Sequence, residues 1–214
     1  MTFESSLPYL SVAAALAAGV ATGRAPSRAE PILKTAALAA LALFAYFRWI
    51  APSSIAVALV LNAIGTVGLA RGARRWRSPA VILVIAAWLV FAWLFMSTGD
   101  GWQVLFGDGV RGGLLAAVLI GAGFGMRRLW PSIVPPRAGP VAEAAALTLM
   151  AASVLTLDWE FWPALLGTLG IVVAEALLLA GACDRWPGEG PSVRRVAWAL
   201  GYLGQAAMAY AFLK

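Results

Sequence analysis

The stretch Gly167-Thr-Leu-Gly-Ile-Val-Val-Ala-Glu-Ala-Leu-Leu-Leu-Ala180 is a run of apolar residues that carries a single carboxylate, Glu175. It belongs to a segment from about Trp159 to Ala182, which is long enough to cross a bilayer as a helix. An ionisable side chain at membrane depth is costly, so Glu175 is expected to face the protein interior and to mark a functional site. Glu175 is therefore the reference point for the other polar residues of the chain.

The composition indicates a polytopic membrane protein. Of the 214 residues, 62% are hydrophobic and 12% are charged, whereas about a quarter of a soluble domain is charged. The apolar runs predict an all-α fold, a single domain over residues 1–214 that forms a membrane bundle of eight transmembrane helices. The approximate bounds of the predicted helices are Leu7–Ala21, Pro31–Ile50, Ser53–Ala70, Pro79–Met96, Val110–Met126, Pro140–Leu157, Trp159–Ala182 and Val196–Leu213.

The residue inventory narrows the possible chemistry. The chain has no histidine, which excludes Ser/His/Asp and Cys/His nucleophile schemes and His-ligated metal sites. Its one cysteine, Cys183, excludes an intrachain disulfide and a Cys-rich metal site, and we interpret it as a packing residue. We expect neither a metal nor a cofactor, so carboxylates, hydroxyls, amides and cations remain to carry any chemistry.

The basic residues alternate between the two sides of the predicted bundle. All of them except Arg48, Arg111 and Lys214 fall in the loops after helices one, three, five and seven, or just inside helix two. The positive-inside rule places those loops in the cytoplasm, which predicts an integral protein of a bacterial-type inner membrane with both termini outside the cytoplasm. The net charge of +6 is thus explained by topology, and no nucleic-acid partner is expected.

This topology brings polar groups from four helices to inner-leaflet depth. The group consists of Glu175, Glu143, Lys34, Asn62 and Thr66, and it predicts a polar pocket that opens toward the cytoplasmic leaflet. Each residue also has a structural interpretation. Lys34 can snorkel to lipid phosphates, Glu143 can interact with the positive end of its helix, Asn62 and Thr66 can hydrogen-bond between helices, and Glu175 can pair with Lys34 or an arginine.

Several short motifs, in order along the chain, resemble those of the lysoplasmalogenase family, the YhhN-like eight-helix membrane proteins. Helix two begins with Leu33-Lys34-Thr35, and helix three contains Leu61-Asn-Ala-Ile-Gly-Thr-Val-Gly-Leu69. Helix seven contains Gly167 and then Ala174-Glu175-Ala-Leu-Leu178, and helix eight contains Tyr202-Leu-Gly-Gln205. The resemblance covers nearly the whole chain.

The resemblance implies a hydrolase that acts on the vinyl ether bond, or a related ether or ester bond, of a lysophospholipid. Such an enzyme releases a fatty aldehyde and a glycerophospho-headgroup. Its partners are the lysophospholipid substrate and the surrounding membrane lipids. The family's catalytic pair is two aspartates, and here Glu175 stands at one of them. The implied substrate-binding residues are Lys34, Asn62, Thr66, Tyr202 and Gln205.

The sequence also departs from the family pattern. Thr66 stands at the second aspartate and cannot act as an acid or base, and Trp88 and Phe91 stand at the family's helix-four His and Tyr. Glu143 is the candidate replacement, which requires a carboxylate separation of about 5–10 Å. A family member that binds an amphipathic lipid without chemistry is the alternative. A small transporter is a third, disfavoured by the absence of an inverted repeat and of paired broken helices.

Overall fold

The computed structural model describes residues 3–22, 29–48, 52–70, 74–133, 137–182 and 191–212. These residues form α-helices joined by short turns and 3-10 segments, and no strand occurs among them. The helices are α1 (Phe3–Ala21), α2 (Ala29–Phe47), α3 (Ser53–Ala70), α4 (Arg74–Thr98), α5 (Gln103–Gly107), α6 (Gly109–Leu129), α7 (Ala138–Ser153), α8 (Trp162–Ala182) and α9 (Pro191–Ala211). The 3-10 segments are Trp130–Ser132, Val154–Thr156 and Trp159–Phe161. The predicted all-α fold is confirmed.

Each predicted helix has a counterpart, but several bounds differ. The fourth helix begins at Arg74 instead of Pro79, because arginines are good helix formers and the helix extends beyond its apolar part. The last helix begins at Pro191, since proline suits the first helical position. The short helix α5 lies in the predicted Ser97–Gly109 loop and was not predicted. Asp108 separates it from α6 and caps α6 by accepting hydrogen bonds from the backbone N–H groups of Val110 and Arg111.

Five of the described helices are long and apolar enough to cross a membrane. These are Ala29–Phe47, Pro79–Thr98, Gly109–Arg128, Ala138–Thr156 and Trp159–Leu178. Two further apolar helices, Ser6–Ala21 and Ser53–Leu69, are shorter. Helix α9 is long enough, but Arg194, Arg195 and Gln205 make it more polar. The chain thus has several apolar helices of membrane-spanning length, as an integral membrane protein requires, and the number eight remains a prediction.

The helix order in space follows the chain except at one point. Helices α1 to α4 pack in sequence, each on the next, and α4 then packs on α7. Helix α7 contacts α8, α8 packs extensively on α9, and α9 returns to contact α1 and α2. Helix α6 lies beside this ring, is almost entirely exposed, and has its helix contacts with α5 and α7.

A column of aromatic side chains fills one end of the bundle. Trp88, Phe91 and Phe95 are spaced along one face of α4, and their neighbouring ring centroids lie 6.5 and 6.1 Å apart. Phe95 stacks on Phe212, just after α9, at 6.0 Å, and Phe212 contacts Phe161 at 5.0 Å. The column therefore joins α4, α9 and the turn that leads into α8.

Helices α8 and α9 approach each other so closely that their backbones touch. A Cβ atom added to Gly204 would lie 2.5 Å from the carbonyl oxygen of Gly167 and 2.8 Å from Cγ1 of Ile171. Small residues permit such an approach between membrane helices. The two glycines therefore set the distance between α8 and α9.

We expect Gly204→Ala to destabilise the protein, because its methyl group would have to displace the Gly167 carbonyl. Overpacking of this kind costs roughly 1–3 kcal/mol. The change is measured as the shift in the thermal unfolding midpoint of the protein in detergent. Gly123→Ala on the exposed face of α6 is the matched control, since a Cβ there meets nothing within 4 Å. Equal midpoints for the two variants would contradict the close-packing interpretation.

Candidate functional site

Glu143 and Glu175 lie on the inward faces of two consecutive helices. On α7, Glu143 shares a helical face with residues that are all buried: Ala146, Met150 and Ser153. On α8, Glu175 shares a face with an equally buried set: Ala164, Thr168 and Ile171. Both glutamates are half-buried. The helical spacing therefore directs both carboxylates toward the bundle and away from lipid.

The two glutamates also lie at matching depth. Glu143 is 13 residues before Thr156, and Glu175 is 13 residues after Trp162. At 1.5 Å per residue, each lies about 20 Å from the connection between α7 and α8. The structure therefore places the two predicted catalytic residues at similar depth on consecutive helices, and their action as a carboxylate pair remains a prediction.

Lys34 pairs with Glu30 and not with Glu175, the partner considered in the sequence analysis. Its Nζ lies 2.8 Å from Oε1 of Glu30, one helical turn earlier, and 5.2 Å from the ring centroid of Trp198. The hydroxyl of Thr22 donates to the same Glu30 oxygen at 3.3 Å, and Arg195 Nε donates to the Thr22 carbonyl at 2.8 Å. Lys34 thus belongs to a polar network between α1, α2 and α9. The proposed Glu175–Lys34 pair is absent, and within the described part of the chain no arginine pairs with Glu175 either.

Tyr202 connects α9 to α1. Its hydroxyl lies 2.7 Å from the Ser11 hydroxyl, which donates to the Ala37 carbonyl at 2.8 Å. One turn earlier, the Trp198 indole N–H donates to the Ala15 carbonyl at 3.0 Å. Tyr202 therefore holds three helices together.

Thr66 and Asn62 lie one turn apart in the C-terminal half of α3. The Thr66 hydroxyl donates to the Asn62 carbonyl of its own helix at 2.9 Å, so it forms no interhelical bond there. The Asn62 side chain is buried. Its neighbour Ala63 packs in a cluster with Ala37 and Tyr202, so this part of α3 lies near α2 and α9.

Gln205 and Trp88 leave polar atoms without partners in the bundle interior. Gln205 Nε2 makes a long hydrogen bond to the Gly201 carbonyl of its own helix, at 3.4 Å. The Gln205 Oε1 acceptor and the Trp88 Nε1 donor have no hydrogen-bond partner in the described residues. Trp88 lies seven residues before Phe95, and Gln205 lies seven residues before Phe212, its stacking partner. Each interval is about 10 Å of helix, so Trp88 and Gln205 lie at a similar depth in the bundle. Sequence reasoning used Trp88 only as an apolar residue and missed its N–H.

The predicted site residues thus divide into two groups. Glu143 and Glu175 lie on the α7–α8 side, whereas Lys34 and Tyr202 lie where α9 meets α1 and α2. Two clefts on the described surface lie at the opposite end of α8, near Trp162. The loops at the Glu175 end, 134–136 and 183–190, fall outside the described residues. The polar pocket predicted there remains a prediction.

We expect Tyr202→Phe to lower the unfolding free energy by about 1 kcal/mol, because it removes one buried hydrogen bond while Ser11 keeps its bond to Ala37. Tyr210→Phe is the matched control, since Tyr210 lies on the same helix and is 60% exposed. Denaturant unfolding followed by tryptophan fluorescence measures both. Similar losses for the two variants would show that the Ser11–Tyr202 bond contributes nothing specific.

Comparison of the chain with protein-family models, curated proteins and solved structures finds no match. The resemblance of the helix-two, helix-three, helix-seven and helix-eight motifs to lysoplasmalogenases therefore remains a prediction.

Proposed function

We propose that the protein is a lysoplasmalogenase-like membrane hydrolase with Glu175 and Glu143 as its acid/base pair. The supporting observation is that the two glutamates lie on the inward faces of consecutive helices at similar depth. No cation neutralises either carboxylate within the described residues. Unpaired carboxylates at membrane depth are costly, so a role in chemistry is the interpretation that accounts for them.

The pair is suited to hydrolysis of a vinyl ether. One glutamic acid donates its proton to the outer alkenyl carbon, which leaves an oxocarbenium ion on the carbon bonded to oxygen. The other glutamate takes a proton from water as the water oxygen adds to that carbon. The resulting hemiacetal breaks its bond to the glycerol oxygen, which leaves as an alcohol after protonation. One water is consumed, and the products are a fatty aldehyde and the glycerophospho-headgroup.

The remaining site residues have three roles in this proposal. Gln205 has a buried acceptor without a partner in the described residues, and we assign it a hydrogen bond from substrate. Lys34 and Tyr202 are already held by Glu30 and Ser11, so they shape the substrate region through the positions of α2 and α9. Thr66 bonds to its own helix and Asn62 is buried beside it. We assign these two to the substrate boundary.

The alternative, a lipid-binding protein without chemistry, has an observation of its own. An apolar cleft between α8 and α9 is lined by Trp162, Leu166, Leu203, Ala206 and Tyr210. A groove of this kind can hold an acyl chain. It lies at the end of α8 far from Glu175, so occupation of this cleft alone would not present a substrate to the carboxylates.

We also propose that the chain crosses a bacterial-type inner membrane eight times, with both termini outside the cytoplasm. The alternation of arginines and lysines supports this orientation. So does the surface of the helices, since large apolar residues such as Leu16, Ile82 and Ile120 are more than 60% exposed. Lipid is the solvent that accepts such a surface.

We expect purified wild-type protein to release fatty aldehyde from a lysoplasmalogen, and Glu175→Gln and Glu143→Gln each to reduce the rate by at least about 100-fold. This is the lower range for loss of a general acid or base. Both changes preserve side-chain volume, and an aldehyde-coupled dehydrogenase assay measures the rate.

The matched control is Glu160→Gln, because Glu160 is an exposed carboxylate at the opposite end of α8. It should keep the wild-type rate. Full activity in Glu143→Gln would remove Glu143 from the pair. A folded wild type that retains lysolipid but releases no aldehyde would favour the lipid-binding alternative.

The orientation predicts where thiol reagents reach the chain. Cys183 is the only cysteine and follows α8 on the proposed cytoplasmic side. We expect an impermeant maleimide to label it in inverted membrane vesicles but not in intact spheroplasts. In a Cys183→Ser background, Asp100→Cys should show the reverse pattern. Labelling of both positions from the same side would contradict the eight-span topology.

A further inference from the structure

Arg111 is a buried cation at the end of the bundle opposite the carboxylate pair. It lies in the first turn of α6 and is only 5% exposed. Its Nε lies 3.4 Å from Asp108 Oδ2, and its guanidinium carbon lies 5.2 Å from the Trp159 ring centroid. Its Nη1 is buried and has no hydrogen-bond partner among the described residues. One donor nitrogen of this arginine is therefore unsatisfied within the described part of the fold.

The unpartnered arginine lines a small cleft. The cleft is bounded mainly by the connection between α7 and α8, with these lining residues: Val154, Leu155, Leu157, Asp158, Trp159, Phe161, Trp162 and Leu165. It has room for about one water-sized group. A ligand can therefore place one oxygen atom in the cleft while the rest of it stays at the surface. A buried arginine donor favours a charged acceptor such as a phosphate oxygen.

The charges around the cleft define the ligand further. Arg111 contributes +1, and Asp108 and Asp158 contribute −1 each. Glu160 is a further exposed carboxylate in the same turn, so negative charge is in excess here. A purely anionic group would be repelled by this excess. A group with a phosphate and an amine matches it, since Asp158 is exposed at the mouth of the cleft.

The position of the cleft identifies the source of the ligand. Trp159 and Trp162 flank it and are half-exposed, and tryptophans gather where membrane meets water. A phospholipid headgroup occupies this same level. The acyl chains would then lie along the apolar surface of α8, which Leu166 and Leu169 expose.

We propose that the cleft between Arg111 and Asp158 binds the headgroup of a zwitterionic phospholipid in the adjacent leaflet. A phosphate oxygen accepts a hydrogen bond from the Arg111 guanidinium, and the ammonium group pairs with the Asp158 carboxylate. The site lies about 20 Å from Glu175 along α8. It is independent of the proposed hydrolysis, because a lipid bound here holds its headgroup at the other end of the helix.

The test is native mass spectrometry of the purified protein in detergent with three short-chain lipids. Dioctanoyl phosphatidylethanolamine carries phosphate and amine, dioctanoyl phosphatidylglycerol carries phosphate alone, and dioctanoylglycerol carries neither. We expect wild-type affinity to fall in that order, with about a tenfold difference between the first and the last. Equal binding of all three, or tighter binding of phosphatidylglycerol than of phosphatidylethanolamine, would overturn the proposal.

Variants connect the ranking to the residues. Arg111→Gln should reduce phosphatidylethanolamine binding to the level of dioctanoylglycerol, and Asp158→Asn should abolish the preference over phosphatidylglycerol. Arg48→Gln is the matched control, since Arg48 also stacks on an aromatic ring, Phe44 at 5.4 Å, but is exposed. Arg111→Gln with unchanged binding would overturn the assignment. If that variant does not fold, the wild-type ranking and Asp158→Asn decide the proposal.

A final arm separates a lipid from a soluble phosphate ester. Glycerophosphoethanolamine and inorganic phosphate are added as competitors at millimolar concentration. A membrane-lipid site predicts that neither displaces the bound lipid, because the acyl chains contribute much of the binding. Displacement by glycerophosphoethanolamine at low concentration would show that the headgroup alone is the ligand and would overturn the lipid assignment.

Discussion

The backbone contact between Gly167 and Gly204 is the constraint on which the arrangement of the polar residues depends. Tyr202 and Gln205 flank Gly204, so the face that α9 turns to α8 also determines where these two side chains point. Glu175 lies about two turns beyond Gly167 on α8. A wider spacing between the helices would move Glu175 away from α9 and change its position relative to Glu143. A single close approach between two glycines thus positions side chains on both helices.

The bundle concentrates different chemistry at its two ends. At one end, no described cation forms an ion pair with Glu143 or Glu175, and Lys34 is held by Glu30 on the far side of α9. At the other end, Arg111 is held between Asp108 and Trp159. The aromatic column from Trp88 to Phe161 fills the interior near the second end. The charges at the two ends are therefore too far apart to neutralise one another.

The sequence was sufficient to predict the helices but not all their partners. Long apolar runs mark membrane-length helices, which is why Glu143 and Glu175 could be placed on consecutive helices in advance. The Lys34–Glu30 pair was not predicted, because helix two was expected to begin at Pro31, one residue after Glu30, whereas it begins at Ala29.

The packing of α4 on α7 has no signal in the local sequence. The Trp88 N–H, which has no partner among the described residues, also has no signal in the sequence, because tryptophan is treated as an apolar residue in hydropathy patterns. The single arginine near Asp108, in an otherwise acidic segment, was the available signal for Arg111.

The passage of α4 over two intervening helices to meet α7 has a consequence for assembly. During synthesis, the face of α4 that carries Phe91 and Phe95 is complete well before α7 is made. Helices α1 to α3 can associate with α4 as they emerge, but that face must remain in lipid until α7 arrives past α6. Helix α6, which is made between them, packs only sparsely on the ring. The bundle therefore closes late and from its C-terminal half, when α9 joins α8 to α1.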